Sequence, residues 1–182
     1  LKDPKSVTPE LMSQMRRAGK IAGIPVQDWA RNRTDGSDVD MDFYCHRYPL
    51  YPNYLTGSRT GAPLAPLLGN LKIYDGGTTD IQIGILNNFL AYSDHIIGYR
   101  FIPMSLQETN MEVIWFVRKD AIEGKDFIKK DLTWLWHVTS QDDERIISLN
   151  QEGVNSHYFK PGPLSEMEWG IKAFHQNYLR LI

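Results

Sequence analysis

Apolar residues recur along this chain with two different periods. Leu11, Met12, Met15, Ala18 and Ala22 share one face at helical spacing. Thr8-Pro9-Glu10 supplies the start, a hydroxyl cap followed by Pro at the first helical position and an early acid, and Gly23 with Pro25 supplies the stop. Arg31 to Asp42 is polar and rich in Asp, Arg and Gly, which predicts a loop. Between Tyr44 and Leu68 the prolines Pro49, Pro52, Pro63 and Pro66 predict irregular chain or short extended pieces, because Pro cannot donate to a central ladder.

The period then shortens. Leu71–Tyr74, Asp80–Ile85, Phe89–Tyr92, His95–Pro103 and Glu112–Lys119 are apolar, β-branched or aromatic, and several alternate, which predicts strands. Asp75-Gly76-Gly77, Asn87-Asn88 and Ser93-Asp94 offer turn residues between them. Short consecutive strands with tight turns imply an antiparallel sheet. After a charged connection over Asp120–Asp126, helices are predicted at Ile128–His137, at Ser140 to about Glu152 with Gly153 closing it, and after Ser165. The last carries Glu168 as its capping-box partner and Met167, Ile171, Phe174 and Tyr178 as its buried face. The fold class is α+β, an antiparallel sheet with helices packed on one side.

Composition narrows the function classes. The 182 residues suit one domain with a real core, and the net charge is −2 with 20 scattered basic residues. That distribution argues against a nucleic-acid stripe or a basic membrane patch. No run has the length of a membrane span and no signal segment opens the chain. A chain beginning at Leu1 without Met is expected to be processed or truncated. The single cysteine, Cys45, forbids an internal disulfide and points to a reducing cytoplasm.

Few residues offer chemistry. Cys45-His46 lacks a second cysteine and reads as structural. His46, His95, His137, His157 and His175 are isolated, and His137 reads as packing or surface. Asp142, Asp143 and Glu144 are expected in the first turn of a helix, where carboxylates complement the dipole by roughly 0.3–1 kcal/mol each. Trp134 and Trp136, two apart on a helix, cannot share a face and read as packing.

Taken together, the acidic Asp142-Asp143-Glu144, the turn Gln151-Glu152-Gly153, the loop Pro161-Gly162-Pro163 and the capped terminal helix resemble, in that order, the C-terminal end of the Rieske non-haem iron oxygenases, in their catalytic alpha subunit (the ring-hydroxylating dioxygenase family). Tyr51 to Ser58, Pro63 to Gly69, Tyr74-Asp75-Gly76-Gly77 and Asp120 to Asp126 are similar to segments of the branch acting on glycine betaine, choline and carnitine. The resemblance implies that residues 1–182 are the C-terminal part of a helix-grip-like catalytic domain, without its Rieske [2Fe–2S] domain. One cysteine cannot build that cluster, which needs two Cys and two His.

The family pattern places an iron-ligating aspartate eight residues before the Gln of Gln-x-Gly, which selects Asp143, with Asp142 as the register alternative. It implies a mononuclear Fe(II) held by that carboxylate and two histidines; no close His pair is present here. A facial triad of this kind leaves open positions on Fe(II) for oxygen. Electrons would come from NAD(P)H through a reductase or ferredoxin partner, in a homo-oligomer expected to be a trimer. The reaction implied is hydroxylation and demethylation of a quaternary amine, or oxidation of an aromatic ring, with this piece inactive by itself. A concave sheet face lines the pocket in this family, so Asn87, Phe89, Tyr92, His95, Tyr99, Trp115 and Phe116 are the substrate-binding candidates, aromatic faces attracting an ammonium by about 0.5–2 kcal/mol. The rival is a stand-alone helix-grip module binding a small ligand without metal, in which Asp143 is only a helix-start acid.

Overall fold

A computed structural model describes residues 43–51, 53–165 and 168–182. The helix expected over Thr8–Ala22 and the loop expected over Arg31–Asp42 lie outside the described residues.

Five strands, β1 (Phe43–Pro49), β2 (Gly77–Ile83), β3 (Asn87–Ala91), β4 (Ile96–Pro103) and β5 (Thr109–Phe116), form one antiparallel sheet in sequence order. Two helices follow, α1 (Lys129–Val154) and α2 (Trp169–Leu181). The α+β class is therefore as expected, and four strands fall within a few residues of their expected places.

Some elements differ. Phe43–Pro49 is a full edge strand paired with β2, its Pro at the last position, where an edge tolerates it. Leu71–Tyr74 is not a strand, because the chain there returns to the sheet through Asp75 and Gly76. The β2–β3 turn is made by Gly84-Ile85-Leu86, Gly84 taking φ +61°, while Asn87 and Asn88 open β3. The two helices expected on either side of Ser140 are one helix of 26 residues. Nothing between Leu135 and Gln141 can stop it, since neither Gly nor Pro occurs there. It ends one residue past Gly153, with the Asn155 N–H donating to the Gln151 carbonyl at 3.0 Å.

The expected Ser165–Glu168 capping box forms only in half: the Ser165 N–H donates to Glu168 Oε2 at 2.7 Å, which holds the Glu168 carboxyl below its ordinary value, but the helix starts at Trp169 with Glu168 as its N-cap and no side-chain cap bond. The buried face expected on α2 does not form. Ile171 and Tyr178 are exposed, Phe174 is half-buried and stacks on Tyr178 at 6.3 Å, and Met167 is outside the described residues. Among the described residues no element packs over the apolar stripe of this helix, which leaves it exposed there.

Candidate functional site

Leu132, Trp136, Ser140 and Asp143 recur at intervals of four, four and three residues, so their side chains fall in one line along α1. That line faces the sheet. Leu132 is buried at 4% exposure, and Trp136 meets the Tyr99 ring edge-on, centroids 5.9 Å apart at 81°. Burial pushes the Tyr99 phenol above its ordinary value; the nearby Ser140 hydroxyl opposes the rise and the Asp143 charge adds to it. Asp143 is thus the acid of its cluster whose charge reaches the sheet. Asp142 is turned about 100° around the helix from it and His137 about 120°. His137 is exposed, on the same helix rather than on an adjoining one.

The expected position of these acids needs correcting. Asp142, Asp143 and Glu144 are in the middle of α1, not in a first turn. A helix dipole acts within its terminal turns, so it does not account for them. Asp143 is exposed and takes part in none of the ion pairs among the described residues.

Register assigns the sheet residues to faces, because paired residues share one. Asp80, Leu90, Ile97 and Trp115 make one row across β2 to β5, and Gln82, Asn88, Tyr99 and Val113 make the next. Thr78, Tyr92 and His95 extend the pattern at the end of the sheet, where the Tyr92 N–H donates to the His95 carbonyl at 2.9 Å. This is the face under α1. Of the expected substrate residues, Tyr92, His95, Tyr99 and Trp115 belong to it. Phe89 and Phe116 do not: both rings lie over Gly98 on the opposite face, where a Cβ at Gly98 would stand 3.0 and 3.4 Å from them. Asn87 joins them by its pairing with Arg100, which bonds Glu112 on that side.

One end of the α1 face rests on a buried polar cluster. Asp94, itself fully buried, accepts from Thr56 Oγ1 at 2.5 Å, from His95 Nδ1 at 2.7 Å and from the Leu64 N–H at 2.8 Å. Burial alone would raise its carboxyl, but the His95 and Thr56 bonds, the His95 charge and the Leu64 N–H outweigh that and hold it below its usual value. An ionised carboxylate only accepts, so His95 Nδ1 carries the proton. Beside it, Asp75 is held low in the same manner by Arg47, Ser93 and the Gly77 N–H. Tyr92 stacks on the His95 ring at 4.7 Å. Gly57 lets the preceding loop approach Tyr92, since a Cβ there would stand 2.4 Å from the ring.

Several buried polar atoms on this face lack hydrogen-bond partners. Burial pushes the Tyr92 phenol up to about 12, with Trp136 and Thr78 lying close enough to soften the rise. Neither makes a hydrogen bond of good geometry, so Trp136 Nε1 and Thr78 Oγ1 are buried without partners, as are Ser140 Oγ, Trp115 Nε1 and His95 Nε2. Asp80, half-buried on the same face, is pushed up by burial. Thr78 and Asp80 were not singled out from sequence, and Trp136 and Ser140 were read there as packing and as a helix start. A carboxylate inside the Gly77–Ile83 strand was the signal available. Trp134 does not belong here: the Arg59 guanidinium covers its ring at 4.0 Å, a packing role as expected.

Among the described residues, no three His, Cys, Asp or Glu side chains come together to hold a metal ion. An iron at Asp143 would need its other ligands from outside the described residues. Cys45 falls in β1 opposite Ile81. No helix among the described residues is long and apolar enough to cross a membrane.

Known proteins are similar to this chain in sequence. The glycine betaine monooxygenase oxygenase subunit of Pseudomonas aeruginosa (strain UCBPP-PA14) is 40% identical over 109 residues, 59% of this chain and 25% of that protein. The subunit of the same name from Chromohalobacter salexigens is 30% identical over 132 residues, 70% of this chain and 29% of that protein. The chain thus spans between a quarter and a third of the length of these curated relatives. The model of the family described as ring hydroxylating alpha subunit (catalytic domain) matches residues 87–182, from the start of β3 through both helices. With more than half of its length in that match, the chain belongs to the ring-hydroxylating alpha-subunit family and is catalytic-domain sequence of a Rieske-type oxygenase.

Proposed function

We propose that this chain is the C-terminal part of the catalytic domain of an oxygenase that demethylates a quaternary amine, with Asp143 as the carboxylate ligand of a mononuclear Fe(II). The observation that carries the ligand assignment is the position of Asp143 on α1. It continues the line of Leu132, Trp136 and Ser140 toward the sheet, its charge reaches Tyr99, and neither a helix terminus nor an ion pair among the described residues occupies it. Bound there, the iron would supply oxygen activation. The remaining ligands, a pair of histidines, and the Rieske [2Fe–2S] cluster would lie in sequence outside these residues. A reductase or ferredoxin fed by NAD(P)H would deliver the two electrons, and a homotrimer in the cytoplasm is the assembly that this family membership favours.

The residues described here would bind and orient. Tyr92, Tyr99 and Trp136 offer aromatic faces to an ammonium, whereas Asn87, Phe89 and Phe116 lie across the sheet and are left out of the pocket. The names of both relatives favour glycine betaine over an aromatic ring as substrate. A metal-free binding module has no observation in its favour.

The test is the full-length oxygenase with its reductase. Asp143→Asn should lose bound iron and formaldehyde release from glycine betaine, while Asp142→Asn keeps both. Iron retained by the Asp143 variant and lost by the Asp142 variant would move the ligand by one residue.

A further inference from the structure

We infer that Tyr99 is a positioning residue for the Asp143 carboxylate. Its phenol, supported by the Ser140 hydroxyl, donates to one carboxylate oxygen and leaves the other for the metal. This rests on the oxygenase reading above and names what orients its iron ligand.

The need comes from exposure. Asp143 is exposed and makes none of the ion pairs found among the described residues. A carboxylate free to rotate must be ordered each time a metal binds, and a fixed donor beside it removes that loss. Ligating carboxylates are accordingly hydrogen-bonded by outer groups that set their orientation.

Tyr99 has the geometry of such a donor. Its ring is held on two sides. Phe101, two residues along β4 on the same face, stacks on it at 6.4 Å and 11°, and Trp136 meets it edge-on at 5.9 Å and 81°. Trp136, Ser140 and Asp143 follow one another along one line of α1, so a ring seated at Trp136 has the next turn of the helix beside it. Both later residues act on the phenol, Ser140 through its hydroxyl and Asp143 through its charge. Ser140 Oγ is buried and makes no bond of good geometry, and a buried hydroxyl left so is destabilising. Donating to the phenol oxygen satisfies it and leaves the phenol's own proton for Asp143, a charge-assisted bond. Asp142, turned about 100° around the helix, is out of line with this donor.

Iron affinity of the full-length protein, titrated against a colorimetric chelator, tests this. The absorption spectrum of the cobalt(II)-substituted protein is the second readout, because it reports ligand geometry and not stability. Tyr99→Phe keeps the ring and removes the phenol. It should weaken iron about tenfold, as loss of a ligand's supporting group does, and shift the cobalt bands. Ser140→Ala should act in the same direction, and Ser140→Thr, which keeps the hydroxyl, should restore the wild-type values. Near-UV circular dichroism checks folding, and the Ser140 pair decides the matter if Tyr99→Phe misfolds. Wild-type affinity and spectrum in Tyr99→Phe, with iron lost from Asp143→Asn, overturns the positioning role and leaves the ligand assignment standing. Weaker iron with an unchanged cobalt spectrum marks a general loosening and overturns the role as well. Iron retained by Asp143→Asn overturns the ligand assignment itself, and the positioning role with it.

Discussion

The two halves of α1 differ in what covers them. From Leu132 to Ser140 the helix is buried or half-buried except at His137 and Val138, with Trp136 and Leu132 pressed on the sheet. From Gln141 to Val154 every residue is exposed, Ile146, Ile147 and Leu149 included. The reason is length. A helix of 26 residues extends about 39 Å, and five strands about 4.8 Å apart make a narrower floor. Asp143 stands where the helix leaves its support. The packed half sets position, and the free half carries the acid.

That division predicts a separation of effects. Asp143→Asn in the full-length enzyme should cut turnover by at least about a hundredfold, beyond the loss from disturbing a ligand's supporting groups, with a Tm unchanged because the side chain is exposed. A parallel fall in Tm would show that the acid supports the fold and would break the comparison. Leu132→Ala should cost about 2–5 kcal/mol in urea unfolding. Ile147→Ala in this chain should change it by less than about 0.5 kcal/mol. Gly57→Ala, which forces Tyr92 from its place, should cost about 1–3 kcal/mol and raise the KM of the intact enzyme.

Acid titration sharpens the same contrast at the other end of the floor. Asp94 and Asp75 titrate below their unfolded values when folded. Their stabilisation is therefore complete above about pH 4 and is lost as pH falls through the folded values. Asp80 titrates above its unfolded value, so its contribution is present below about pH 4 and is lost as pH rises through the raised value. Asp94→Asn should flatten acid unfolding, whereas Asp80→Asn should raise the Tm at pH 7.

The sheet was legible because alternation is a local property: β4 and β5 were expected at His95–Pro103 and Glu112–Lys119 and are found at Ile96–Pro103 and Thr109–Phe116, displaced by no more than three residues. The order of the motifs around Gln151-Glu152-Gly153 likewise carried the family. What a face is opposite to is not local. Asn87, Phe89 and Phe116 have the composition of pocket residues, yet register puts them across the sheet from Tyr99. Ser140 reads as a helix cap in isolation, but helix propensity on both sides carries the backbone through it. The donors Thr78 and Trp136, far apart in sequence, acquire meaning only when α1 is laid over β2.

The sheet order also has a kinetic side. Strands β2 to β5 are neighbours in sequence, joined by short turns, and can zip together as a meander. β1 must first close the long connection from Leu50 to Gly76, and Thr56 meets Asp94 across a separation of 38 residues. Of the five strands described, the one made earliest is therefore the last to dock. Until it does, β2 presents an open edge, and the Arg47–Asp75 pair that fastens β1 also closes that edge to other chains.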